Sequence, residues 1–105
     1  MEYLNRIEIQ GIVGNARTQK IGYIEMARFS VATDYCYENK AGEKITETTW
    51  HQVVVFQNDR NPDLSIITKG ARVSVTGRLR NNKYTDRDGN ERTSIEILAN
   101  QVTIL

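Results

Sequence analysis

The feature that most constrains this chain is strict alternation. In ARVSVTGRLR (71–80), Val73, Val75, Gly77 and Leu79 fall on one side of an extended backbone, and Arg72, Arg78 and Arg80 on the other. Such period-two patterning suits a half-buried strand and no helix. The same reading gives strands at LNRIEIQGIVG (4–14), with Ile7, Ile9 and Val13 in step, and at IEMARFSVATDYCY (24–37), with Phe29, Val31, Thr33, Tyr35 and Tyr37 in step. A third strand is TTWHQVVVFQ (48–57) and a fifth SIEILANQVTIL (94–105). Gly11 and Gly14 suggest the bends a barrel needs at its corners, and Asp88–Gly89 marks a hairpin. NPDLSIITKG (61–70) reads as a short helix, with Asn61 as cap, Pro62 at the first helical position and Gly70 just past the end. Three strands, a short helix and two strands predict an all-β OB-fold, a five-stranded Greek-key barrel with its helix between strands 3 and 4. An SH3-like barrel is the alternative, with shorter loops.

The 105 residues make one domain, 1–105. No apolar run approaches the ~20 residues of a membrane span, and MEYLNRIEIQ lacks the pattern of an export signal. A single cysteine, Cys36, suits a reducing, cytoplasmic setting. Net charge is only +1, but residues 69–92 carry seven basic groups against three acids, whereas residues 1–68 carry seven against nine. That bias attracts a polyanion locally, or is simply a solvated hairpin.

Catalytic chemistry finds little to use. One histidine and one cysteine do not make a zinc site, and no cofactor motif is present. Cys36, on the Ala32–Asp34 side of its strand, reads as a small core-facing hydrophobe. His51 shares the valine face, where it reads as a packing or interface residue. The carboxylates are scattered, so the chain is expected not to be an enzyme.

The aromatics remain. On the third strand Val53 and Val55 form the core stripe, while Trp50 and Phe56 face the other way with Gln52 and Val54. Tyr37 sits at a hairpin end and Tyr84 in the basic hairpin. Exposed aromatics beside cations are what single-strand binders use, because every base has a π-face. The phosphate candidates are Arg28, Lys69, Arg72, Arg78, Arg80, Lys83 and Arg87; nothing in the sequence identifies a reader of ribose 2′-OH groups.

Taken in order, N-x-I-x-I-x-G-x-V-G (5–14), A-R-F-S-V-A-T (27–33), K-A-G-E-K-I-T-E-T-T-W-H-Q-V-V-V-F (40–56), K-G-A-R-V-S-V-T-G-R-L-R (69–80) and K-Y-T-D-R-D-G (83–89) resemble the bacterial single-stranded DNA-binding proteins over essentially the whole chain. The resemblance implies sequence-independent binding and protection of single-stranded DNA in replication, recombination and repair, in the cytoplasm and on the nucleoid. It puts base-stacking aromatics at Tyr37, Trp50, Phe56 and Tyr84, with tyrosine at 37 and 84 where the family often has tryptophan. It implies a homotetramer, a dimer of dimers, with His51 at a subunit interface. A primosomal adaptor of the same fold, dimeric and binding DNA weakly, is the rival. Two segments depart from the family pattern: NARTQKIGYIEMA lacks its D-P-E, leaving Arg17 a minor candidate there, and FQNDRNPDLSIITKG is atypical of the helix region. The acidic tail through which family members recruit enzymes is not expected in this chain.

Overall fold

The structure is a computed structural model and describes residues 2–61 and 63–105. Five strands, β1 (Ile7–Ile21), β2 (Ile24–Glu38), β3 (Lys44–Phe56), β4 (Arg72–Thr85) and β5 (Glu91–Ile104), close into a barrel in the order β1-β2-β3-β5-β4. Neighbours are antiparallel except β3 and β5, which run parallel through Val53–Ile97, Val54–Leu98 and Val55–Ala99. This is the expected five-stranded OB arrangement.

The alternation seen in the sequence builds the core. Val13, Phe29, Val31, Val53, Val55, Val73, Val75 and Ile97 point inward and are almost fully buried. Each such side chain contributes roughly 1.5–3 kcal/mol relative to exposure. At Gly11 and Gly77 a Cβ would collide with the Ala32 and Leu98 carbonyl oxygens, so only glycine lets the strands pass this closely.

The long hairpins share one turn chemistry. The Asn39 side-chain oxygen accepts from the amides of Ala41 and Glu43, both at 2.9 Å, and Asp86 accepts likewise from Asp88 and Asn90 at 3.0 and 2.9 Å. A left-handed glycine follows three residues on in each turn, Gly42 with φ 80° and Gly89 with φ 81°.

Several expectations are corrected. The first strand does not end at residue 14 but runs to Ile21, because a bulge between Val13 and Ala16 bends it and pairing with β2 resumes. The helix is one 3-10 turn, Leu64–Ile66, capped by Asp63 and not by Asn61; Pro62 lies outside the described residues. Asn61 is instead buried, donating to the Asn100 carbonyl and accepting from the Val102 amide, both at 2.9 Å, which ties the loop to β5. Leu79 keeps its inward register but is exposed. Cys36 is exposed rather than core-facing, because the Ala32–Asp34 side of β2 is the outer pleat that carries Arg28 and faces Trp50, opposite to the inward Phe29 and Val31. Its Sγ lies 3.5 Å from Thr46 Oγ1.

Candidate nucleic-acid interface

Cross-strand register defines the outer face. One rung runs Arg17 (β1), Arg28 (β2), Val54 (β3), Leu98 (β5) and Arg78 (β4). Residues paired across a sheet point to the same side, so three arginines and two apolar groups share this row. Moving one way along β2, Ser30 faces Gln52, and then Ala32 faces Trp50, with Ile12 and Arg72 continuing that rung. Moving the other way, Met26 faces Phe56. Trp50 and Phe56 are six residues apart on one face, roughly 20 Å. Trp50 is 57% exposed, whereas Phe56 is half-buried and walls a groove of about 400 Å³ with Asn58, Arg60, Leu98 and Asn100.

The indole is seated by its neighbours. Gly14 and Asn15 together oppose Ser30 in the β1 bulge, and Ser30 Oγ accepts from the Asn15 amide at 3.0 Å. Gly14 lies under Trp50, where a Cβ would come within 2.5 Å of the ring. Between bulge and indole opens a cleft of about 480 Å³, lined among others by Arg17, Arg28, Gln52 and Glu96.

Among the described residues Glu96 is the one acid buried on this face. Its carboxylate accepts from Arg80 Nε at 2.7 Å and Arg28 Nη1 at 3.3 Å while only 3% exposed. A buried carboxylate needs such partners, and it fixes both guanidinium groups over the sheet.

The other expected site residues divide. Tyr84 lies on the Arg78–Arg80 side of β4 and so shares the outer face with Trp50 and Phe56. Tyr37 occupies the opposite pleat of the β2–β3 ribbon, paired with Ile45, its ring 6.1 Å from that of Tyr35. Lys83 points away from Tyr84's face, and Arg87 and Lys69 sit in turns before β5 and β4. His51 is on the inner pleat opposite Val31, Nε2 2.9 Å from Thr33 Oγ1. At the base of Tyr84's hairpin, the Arg92 guanidinium and the Asn90 amide hold the Asp86 carboxyl below its usual range. Nothing in the sequence marks Gly14 as a seat for the indole or Glu96 as a clamp for two arginines, and the bulge sets Arg17, a minor candidate, beside Arg28 on the outer face. Among the described residues no three His, Cys, Asp or Glu side chains converge as metal ligands, and no helix is long and apolar enough to cross a membrane.

Residues 4–105 match the single-strand binding protein family. The chain belongs to that family. It is 39% identical over 102 residues to the mitochondrial single-stranded DNA-binding protein of Drosophila melanogaster, covering 94% of this chain and 69% of that protein. It is 35% identical over 104 residues to the single-stranded DNA-binding protein of Xanthomonas campestris pv. campestris, covering 97% and 60%. The chain thus spans roughly three-fifths to two-thirds of the length of these family members. Among solved structures, a Plasmodium falciparum SSB in complex with ssDNA superposes with a TM-score of 0.79 at 27% identity, over 100% of this chain and 96% of that one. A Thermus aquaticus single-stranded DNA-binding protein mutant shares the fold, with a TM-score of 0.79 at 16% identity, over 97% of this chain and 50% of that one.

Proposed function

We propose that this chain is a non-enzymatic protein that binds single-stranded DNA with little sequence preference, coating and protecting strands exposed in replication, recombination and repair. The observation that carries the reading is Trp50, more than half exposed on a sheet face that also bears Phe56, Tyr84 and the arginines 28, 78 and 80. Bases stack on the rings, at ~1–3 kcal/mol per base, and phosphates meet the guanidinium groups. Tyr37 extends the stacking set around the edge of the β2–β3 ribbon, while Lys69, Arg72, Lys83 and Arg87 form an outer ring of cations. The protein works as a homotetramer, a dimer of dimers with His51 near a subunit contact, in the cytoplasm on nucleoid DNA.

Anisotropy of labelled oligo-dT, with duplex of equal length as competitor, tests this. Tight oligo-dT binding that weakens with salt, by about 0.7 in log–log slope per phosphate neutralised, with little duplex competition, is expected. Duplex competing as well as oligo-dT, or no binding at low salt, would overturn the reading. Native mass tests the tetramer.

A further inference from the structure

Two arginines face one another on the outer side of the β1–β2 ribbon. Arg17 and Arg28 are direct cross-strand partners, and both are exposed. Opposed side chains in a sheet stand ~5 Å apart at Cβ, and like charges there destabilise the pair. Three rungs on, Lys20 faces Glu25, the complementary arrangement. The Arg–Arg rung is therefore a local cost within an otherwise favourable hairpin.

The bulge creates that rung. Val13 points inward, so uninterrupted alternation would turn residues 15 and 17 inward as well. Because Gly14 and Asn15 both oppose Ser30, the pleat slips by one, Ala16 pairs with Phe29, and Arg17 emerges beside Arg28. Bulges re-aim side chains in this way. The single carboxylate in the cleft, Glu96, is taken by Arg28 and Arg80, and among the described residues Arg17 has no carboxylate in ion-pairing range. Two guanidinium groups, Arg17 and Arg28, line the cleft against the one carboxylate of Glu96, which Arg80 also neutralises from outside, so the cleft is left positive, and the Trp50 indole lines it too.

We propose that Arg17 and Arg28 form a two-guanidinium seat for one backbone phosphate of single-stranded DNA, placed so that the base of that nucleotide lies against Trp50. The bound phosphate supplies Arg17 with the counter-charge that Glu96 gives only to Arg28 and Arg80. This rests on the function proposed above and adds Arg17, the bulge that aims it, and the pairing of phosphate seat with stacking ring.

The test compares Arg17→Ala, Arg17→Glu, Arg28→Ala and the Arg17→Ala/Arg28→Ala double variant, with Trp50→Ala as control, for oligo-dT affinity, salt slope and thermal midpoint. Arg17→Ala is expected to weaken low-salt binding about ten-fold and to make the salt slope shallower, and the double variant to make it shallower by roughly 0.7, the share of one phosphate. Arg17→Glu weakens binding further. Neither lowers the midpoint, and Arg17→Glu raises it, because a cross-strand ion pair replaces a repulsion. Losses at Arg17 and Arg28 combine less than additively, since both groups hold one phosphate. The seat is overturned if Arg17→Ala leaves affinity and slope intact while Trp50→Ala weakens binding, or if Arg17→Ala lowers the midpoint like a structural lesion. Failure of the unmodified protein to bind oligo-dT would overturn the function as well as the seat.

Discussion

Gly14→Ala tests whether the place of Trp50 on the bulge matters to binding. The added Cβ would meet Trp50 Cζ3 at 2.5 Å and Cη2 at 2.9 Å, with Ser30 Oγ also at 2.9 Å. Carbon atoms rest at ~3.5–4.0 Å, so the ring must withdraw by about 1 Å. Gly14 does not have a left-handed backbone, so alanine adds no torsional strain, and the half-exposed indole is free to swing outward. Loss of glycine also narrows the unfolded ensemble, worth ~0.4–1 kcal/mol in favour of the fold. Ser30 Oγ, which accepts from the Asn15 amide, must also give by a few tenths of an ångström, a cost of about 1 kcal/mol at most that the glycine effect offsets, so stability should change little. Binding should not escape: displacing a ring that contributes ~1–3 kcal/mol is expected to cost about 1–2 kcal/mol, five- to thirty-fold in affinity for oligo-dT. Trp50 is the only tryptophan, so its near-ultraviolet dichroism reports the movement directly. In a Trp50→Ala background the Gly14 substitution should cost nothing further. An equal loss in that background, or altered dichroism with unaltered affinity, would refute the reasoning.

Other substitutions separate the remaining contributions. Glu96→Gln leaves Arg28 and Arg80 without their carboxylate; after discounting for the partial exposure of both arginines, about 1–2 kcal/mol of stability should be lost, while the freed guanidinium groups steepen the salt slope of oligo-dT binding. Chemical denaturation and salt titration read the two effects separately. Asp86 is held below its ordinary value of 3.8 by Arg92 and the Asn90 amide, so its stabilising effect is complete above that value and disappears as pH falls through the lower folded value. Amide exchange in the β4–β5 hairpin should be flat from neutral pH down to about 5 and accelerate, relative to intrinsic rates, below about 4, and Asp86→Asn should blunt that acid response. Tyr84→Ala should weaken oligo-dT binding several-fold with unchanged salt slope, since stacking releases no counterions; a changed slope would mean that the hairpin acts through charge.

The barrel was legible because its signal is periodic. Runs such as Val73–Val75–Gly77 and Val53–Val55 state which side is inside, and Asp88–Gly89 states where a hairpin turns. Irregular features were not legible. The slip at Gly14–Asn15 reverses the parity that would place Arg17, and no alternation rule reveals such a slip before the strands are paired. Cys36 falls outside the core because Ala32 and Asp34, its same-side neighbours, lie on the outer pleat of β2, whereas Phe29 and Val31 already mark the other pleat as the inner one. Residues 61–70 have helical punctuation, but the loop is held by the Asn61 bonds to β5 and needs only a single turn. Glu96 did leave a trace: an acid set within S-I-E-I-L-A, where a buried carboxylate requires a cationic partner. Arg80 is its partner across the local β4–β5 hairpin, but Arg28 reaches it only through the β2–β3 and β3–β5 pairings, far away in sequence.

The most direct test of the account is the quenching of Trp50 fluorescence during titration with oligo-dT and with duplex DNA of equal length, at low and high salt. Strong quenching by oligo-dT, relieved by salt and absent with duplex, is the expected result. If oligo-dT binds while Trp50 fluorescence stays unchanged, or quenching is equal with duplex, the outer face around Trp50 is not a single-strand stacking surface.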